Sequence, residues 1–190
     1  MTELCDLAYK YGSDKCPKIK HHYTPYYYEL FKDRRESIKK VLEIGIGNKE
    51  QHGMRHVPRS YVTGASLRMW RDFFPNAQVY GIDNDQSCMF EDERITTIYR
   101  TQSRVVDLSK VLMVTGRDID IVIDDGSHYT SDQVFTCSVL MPLLKDDVIY
   151  IIEDMNESRE VQKRLPAFKT KIIQFKESRT RDDKLLIVRK

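Results

Sequence analysis

Two short acidic runs carry the most reactive side chains of this sequence. Asp124-Asp125-Gly126-Ser127-His128 follows the apolar stretch Ile119 to Ile123, and Glu153-Asp154 follows the apolar stretch Val148 to Ile152. At neighbouring ends of parallel strands they would bring four carboxylates and one histidine into a single crevice. Carboxylates gathered with no Lys or Arg among them repel one another unless a cation binds between them. An all-oxygen set suits Mg²⁺ or Mn²⁺ rather than zinc. Such an ion lowers the pKa of a bound hydroxyl and orients it. A histidine, whose pKa lies near working pH, then takes the proton. Asp125 and His128 are the first candidates for catalysis. The bland alternative is a strand end followed by a helix cap.

A second constellation points to a ribose-bearing cofactor. Glu43-Ile44-Gly45-Ile46-Gly47 closes the first apolar strand, Lys40 to Ile44, and glycine lets a backbone turn sharply and approach a ligand. Position 50 is Glu, so the third glycine of a pyrophosphate-binding G-x-G-x-x-G turn is missing. Asp83 ends Tyr80-Gly81-Ile82-Asp83, where a carboxylate accepts from both ribose hydroxyls. Gln102, in Thr101-Gln102-Ser103, is placed to bond an adenine edge. With Asp124 at the next strand end, the expected cofactor contacts are Glu43, Gly45, Gly47, Asp83, Gln102 and Asp124. For Asp83 the alternative is a turn former, and for Gln102 a polar loop.

These residues need strands to carry them. Strand patterns fall at Lys40–Ile44, Gln78–Ile82, Arg94–Tyr99, Ile119–Ile123, Val148–Ile152, Thr170–Phe175 and Lys184–Val188. Helical patterns lie between the first five: Gly64–Phe74, Val105–Val114 and a helix capped by Ser131 and running to Leu144; Asn156–Leu165 follows the fifth. Apolar strands alternating with helices predict a mostly parallel, seven-stranded sheet covered on both faces. The last two strands have no helix between them, so one runs antiparallel. Residues 1–38, with Pro25 and Tyr23, Tyr26, Tyr27 and Tyr28, read as a helical or looped lid on a core spanning 39–190, all within one α/β domain.

Composition bounds the rest. The 190 residues are 41% hydrophobic, enough for one core. Charge is balanced, 31 basic against 29 acidic, so no global nucleic-acid footprint is present. The four cysteines form no C-x-x-C pair, and the N-terminus lacks a signal-peptide pattern. No apolar run approaches a membrane span. A cytoplasmic protein without membrane partners is expected.

Asp125-Gly126-Ser127-His128 and Glu153-Asp154, taken with Tyr11-Gly12-Ser13-Asp14-Lys15, His22-Tyr23-Thr24-Pro25 and Ser66-Leu67-Arg68-Met69-Trp70, resemble the metal-dependent sugar O-methyltransferases of macrolide and related antibiotic pathways, and more distantly the cephalosporin-hydroxylase-like methyltransferases. The resemblance covers residues 9 to about 155. It implies a Rossmann-like class I fold, S-adenosylmethionine and Mg²⁺ (or Mn²⁺). It implies His128 as general base, metal ligation by Asp125, Glu153 and Asp154, and closure of Tyr11–Tyr27 over the site. The closing antiparallel hairpin fits that class. Three features depart from it. Cys16 stands where glycine is common. Arg100-Thr101-Gln102-Ser103 replaces Gly-Asp-Gln-Ser. The family's extra N-terminal domain has no counterpart, so a macrolide acceptor does not carry over and a monomer or homodimer is expected.

The leading expectation is therefore an S-adenosylmethionine-dependent O-methyltransferase acting on a hydroxyl of a sugar-like or other small molecule. Alternatives are a methyltransferase for a nucleotide or RNA ribose, an inactive methyltransferase-fold binding module, and a nicotinamide oxidoreductase, against which the missing glycine and the hairpin speak. The basic stretch 48–63 is a solvated loop or a lid for an anionic group; metal binding by His52 and His56 is disfavoured by Gly53 and Pro58. Trp70 is expected to pack in the core. Arg179, Arg181, Lys184, Arg189 and Lys190 read as a solvated hairpin or a weak phosphate contact.

Overall fold

The structure is a computed structural model and describes residues 1–48, 57–59, 61–178 and 181–190. Its centre is a run of five parallel strands, β1 (Lys40–Ile44), β2 (Gln78–Asp83), β4 (Ile95–Tyr99), β5 (Ile121–Asp124) and β6 (Ile149–Ile152). The strand order is β3-β4-β2-β1-β5-β6-β8-β7, where β3 is Glu91–Asp92, β7 is Lys169–Gln174 and β8 is Lys184–Arg189. The sheet thus has eight strands among the described residues, one more than the pattern predicts. The addition is the two-residue edge strand β3, too short to show periodicity, which runs antiparallel to β4. The expected hairpin forms with a crossing: β8 inserts between β6 and β7 and is antiparallel to both, pairing Ile151 with Ile187 and Ile172 with Leu186.

The strands are apolar on both sides because both faces are covered. Val41, Val79, Ile121, Ile123, Ile149 and Ile151 join one buried cluster. Leu42, Val122, Tyr150 and Ile152, one residue out of step, join the other. That alternation is the two-residue period of a strand sorted between two helical layers. The second layer holds α4 (Val105–Thr115), α5 (Thr130–Leu140) and α6 (Ser158–Lys163). Helix α5 starts after Tyr129, not Ser131, and gives way to a 3₁₀ turn at Met141–Leu143, because Pro142 has no N–H to donate.

The first layer holds α1 (Glu3–Tyr11), α2 (Tyr23–Phe31) and α3 (Ala65–Phe73). Leu4, Ala8, Tyr23, Tyr27 and Phe31 are fully buried and pack with Trp70, Phe73 and Phe74. The N-terminal helices are therefore part of the core layer; the connection between them, together with Tyr23 and Tyr27 of α2, reaches the site described below. Trp70 packs in this core, as expected.

At the opposite end of the sheet Asp120 clamps the start of β1. Its Oδ2 accepts from the Lys39 and Lys40 amides at 2.6 and 2.9 Å, and its Oδ1 accepts from Lys145 Nζ at 2.5 Å. Burial works to raise its pKa, but Lys145 and the two amides prevail and hold it below the usual carboxylate range. A depressed folded-state pKa stabilises above the unfolded value of about 3.9 and is lost as pH falls through the folded one. We expect Asp120→Asn to cost roughly 1–3 kcal/mol at pH 7, and the gap from wild type to narrow as pH falls below the unfolded value, in urea titrations. No described helix is long and apolar enough to cross a membrane.

Candidate active site

The chain lays β1, β2 and β4 outward in one direction and then returns to place β5 and β6 on the other side of β1. A crevice opens where the order reverses, beyond the carboxyl ends of β1 and β5. Ile44 and Asp124 pair there. The cavity has a volume of about 430 Å³, within the usual range for small-molecule sites. Gly45 makes the turn possible: its φ is +88°, and a Cβ on it would lie 2.1 Å from the Asp125 carbonyl oxygen.

Asp125, His128 and Asp154 meet on one wall of this cavity. Each offers a ligand atom within 4.8 Å of the others. The two carboxylates at that spacing suit a divalent cation of the Mg²⁺ or Mn²⁺ type, with the imidazole beside them. His128 Nε2 lies 3.0 Å from Asp125 Oδ1. Burial opposes the charge on His128, but the Asp125 carboxylate prevails and raises its pKa to about 9. Asp125 is held below the carboxylate range: burial is outweighed by the Lys15 and His128 cations beside it. His128 and Asp154 both adopt left-handed backbone, φ 60° and 50°, a conformation costly for non-glycine residues and concentrated at functional sites.

Behind that wall the expectation of carboxylates without an internal cation is corrected. Lys15, from the α1–α2 connection, is buried with its Nζ 2.6 Å from Asp125 Oδ2 and 3.2 Å from Glu43 Oε1, and it donates to Glu153 Oε2. Its side chain is 2% exposed. Burial disfavours the ammonium, but the three carboxylates raise its pKa well above the ordinary lysine value. Tyr27 donates to Glu153 Oε1 at 2.5 Å, and Trp70 Nε1 donates to Glu43 Oε2 at 3.0 Å. Glu153 meets a donor at each oxygen, and burial pushes its carboxyl well above the usual carboxylate range against the opposing pull of the Lys15 cation. Reading the sequence alone missed this role, since Lys15 lies over a hundred positions from Asp125 and Glu153.

A histidine that the sequence did not single out flanks Asp154. His21 is buried, with Nε2 3.4 Å from Asp154 Oδ2 and Nδ1 3.4 Å from Asp183 Oδ1. At that distance these are ion pairs rather than well-formed hydrogen bonds. Burial resists the charge, yet the two carboxylates prevail and push the His21 pKa up to about 10. The other Asp154 oxygen, Oδ1, accepts from the Tyr23 hydroxyl.

The expected cofactor contacts divide. Gly45, Gly47, Asp83 and Gln102 line the cavity. Asp83 Oδ2 accepts from the Ile46 and Gly47 amides at 2.9 and 3.2 Å, fixing the glycine turn while the carboxylate faces the cavity. Gln102 donates to Asp124 and Thr136 and accepts from Ser127 N at 2.8 Å, so it also ties loops together at the cavity. Glu43, Asp124 and Glu153 are fully buried behind the wall. Burial raises the Asp124 pKa to about 7 against donors from Tyr150 and Gln102. Tyr61, not anticipated, lines the cavity and donates to Gly47 O at 3.0 Å. His52, His56 and most of the basic stretch 48–63 lie outside the described residues, as does Arg179.

A doubly wound sheet closed by this hairpin, with its cavity at the strand-order switch, defines a class I S-adenosylmethionine-dependent methyltransferase fold. No protein-family model matches the chain. Individual relatives do. The mycinamicin VI 2''-O-methyltransferase of Micromonospora griseorubida is 36% identical over 153 residues, 80% of this chain and 36% of the relative. The 8-demethyl-8-alpha-L-rhamnosyl tetracenomycin-C 2'-O-methyltransferase of Streptomyces olivaceus is 35% identical over 155 residues, 82% of this chain and 38% of the relative. The solved MycE methyltransferase of the mycinamycin pathway, in complex with Mg and SAH, superposes with a TM-score of 0.69 at 37% identity, covering 83% of this chain and 38% of that one. The cmcI structure with Mg and SAM, at 22% identity and a TM-score of 0.58, shares the fold. The chain is thus similar to one part of these sugar O-methyltransferases, and it spans little more than a third of the length of the curated relatives it matches.

Proposed function

We propose that this chain is the catalytic part of an S-adenosylmethionine-dependent, divalent-metal-assisted O-methyltransferase acting on a hydroxyl of a sugar-like small molecule in the cytoplasm. The observation that supports it most is the convergence, in one cavity, of the Asp83 carboxylate and the Asp125–His128–Asp154 cluster. Asp83 would accept from the cofactor's ribose hydroxyls. Asp125 and Asp154 would hold the cation, with His128 in reach; Glu153 would join them only by releasing Lys15 or Tyr27. When bound, the ion supplies Lewis acidity that lowers the pKa of the acceptor hydroxyl. With a cation bound, the Asp125 charge that raises the His128 pKa would be offset, and His128 in its neutral form would take the hydroxyl proton as the oxygen attacks the sulfonium methyl in line. The C–S bond breaks as the O–C bond forms, leaving S-adenosylhomocysteine, a methyl ether and a proton on His128.

Calorimetric titration with S-adenosylhomocysteine, with and without Mg²⁺, tests the cofactor. Micromolar binding is expected, weakened about tenfold or more in Asp83→Asn. Absence of binding under both conditions overturns the proposal. Transfer of labelled methyl to glycosides, with nucleosides and RNA as the competing acceptor classes, then tests the acceptor.

A further inference from the structure

We infer that Asp183, in the turn that enters β8, is a positioning residue for Asp154 and acts on it through the His21 imidazole. The inference rests on the reading above, in which Asp154 holds the cation. A turn carrying Asp182, Asp183 and Lys184 is a place where a carboxylate ordinarily faces water, yet the Asp183 side chain is 1% exposed. It points inward, with Oδ1 3.4 Å from His21 Nδ1 and Oδ2 3.0 Å from His22 Nδ1, and Oδ1 accepts from the His22 amide at 3.3 Å. The opposite nitrogen of His21 faces Asp154 Oδ2.

The imidazole is therefore a bridge between two carboxylates, and its plane is set from the side. The His21 and Tyr23 rings stack with centroids 4.8 Å apart at 8°. Each ring of that stack grips one oxygen of Asp154: His21 faces Oδ2, and the Tyr23 hydroxyl donates to Oδ1. Two further charges face the assembly, Lys20 Nζ at 3.8 Å from Asp154 Oδ2 and Asp14 Oδ2 at 3.9 Å from His21 Nε2. Both lie on the Asp154 side of the ring, and Asp183 faces the far nitrogen of His21. A ligand carboxylate held this way presents fixed lone pairs to an ion, and loss of such a supporting partner costs metal affinity. The geometry gives the C-terminal hairpin a task at the site that its charged sequence does not suggest.

The test uses the whole chain and Mn²⁺ as the probe, with the dissociation constant read by electron paramagnetic resonance and S-adenosylhomocysteine affinity measured separately in EDTA. Asp183→Asn is expected to weaken Mn²⁺ about tenfold. Cofactor affinity should stay within about twofold, and the double variant with His21→Gln should bind Mn²⁺ about as weakly as the worse single variant. Unchanged Mn²⁺ affinity in a folded Asp183→Asn overturns the inference alone. So do additive effects in the double variant, or an equal loss of cofactor affinity, which would mark a general loosening. Wild-type protein that binds no Mn²⁺ overturns the reading of Asp154 and this inference with it. Asp183→Asn keeps the side chain's shape, so the test survives if Asp183→Ala does not fold.

Discussion

Lys15→Met will lower the stability of the metal-free protein by about 3–5 kcal/mol, the typical cost of breaking a buried charge network by removing one partner. Methionine matches the length of the lysine stem, so packing changes little. What changes is charge: Glu43, Asp125 and Glu153 lose the cation they share. Two of those carboxylates are completely buried and have no water to turn to. Urea denaturation in EDTA should show the fall as a shift in midpoint at constant slope. Because the remaining acids then lack a counter-charge, millimolar Mg²⁺ should restore more stability to the variant than it adds to wild type, since binding to the native state stabilises by mass action. A midpoint within experimental error of wild type would mean that Lys15 does not carry the charge balance of the site.

The second large effect is chemical. His128→Ala should reduce turnover by about 10²–10⁴-fold, the usual contribution of a positioned general base. Affinity for S-adenosylhomocysteine should be retained, because His128 sits beyond the glycine turn on the wall that carries Asp125. The same variant separates two roles that the geometry allows. As a base, His128 can be removed with Mn²⁺ affinity kept. As a ligand of the cluster with Asp125 and Asp154, its removal would lower Mn²⁺ affinity in step with turnover. We expect the first pattern, since the left-handed backbone at His128 holds the imidazole at the cavity with 39% of its side chain exposed, accessible to an acceptor hydroxyl. Undiminished turnover would remove His128 from the reaction.

The sequence by itself determined the layered architecture. Runs such as Ile121–Ile123 and Ile149–Ile152 are hydrophobic at every position and are each followed by an acid, the pattern of a sheet buried on both faces. The acids at strand ends were legible for the same reason: a carboxylate that directly follows a buried strand must emerge at the strand's end, where parallel sheets bind ligands. Periodicity missed the edge strand Glu91–Asp92, which is too short to carry it. Which acids face the cavity and which lie behind it was decided only by tertiary structure. Asp125 and Asp154 reach the cavity; Glu43, Asp124 and Glu153 do not. Nothing local distinguishes them, because the sorting depends on donors brought from elsewhere. Lys15 crosses from the N-terminal connection to three strand ends, Tyr23 and Tyr27 supply hydroxyls from α2, and Asp183 folds in from the C-terminal turn. A buried carboxylate needs a donor or a cation, and the chain meets that need with partners far away in sequence, which no spacing rule encodes.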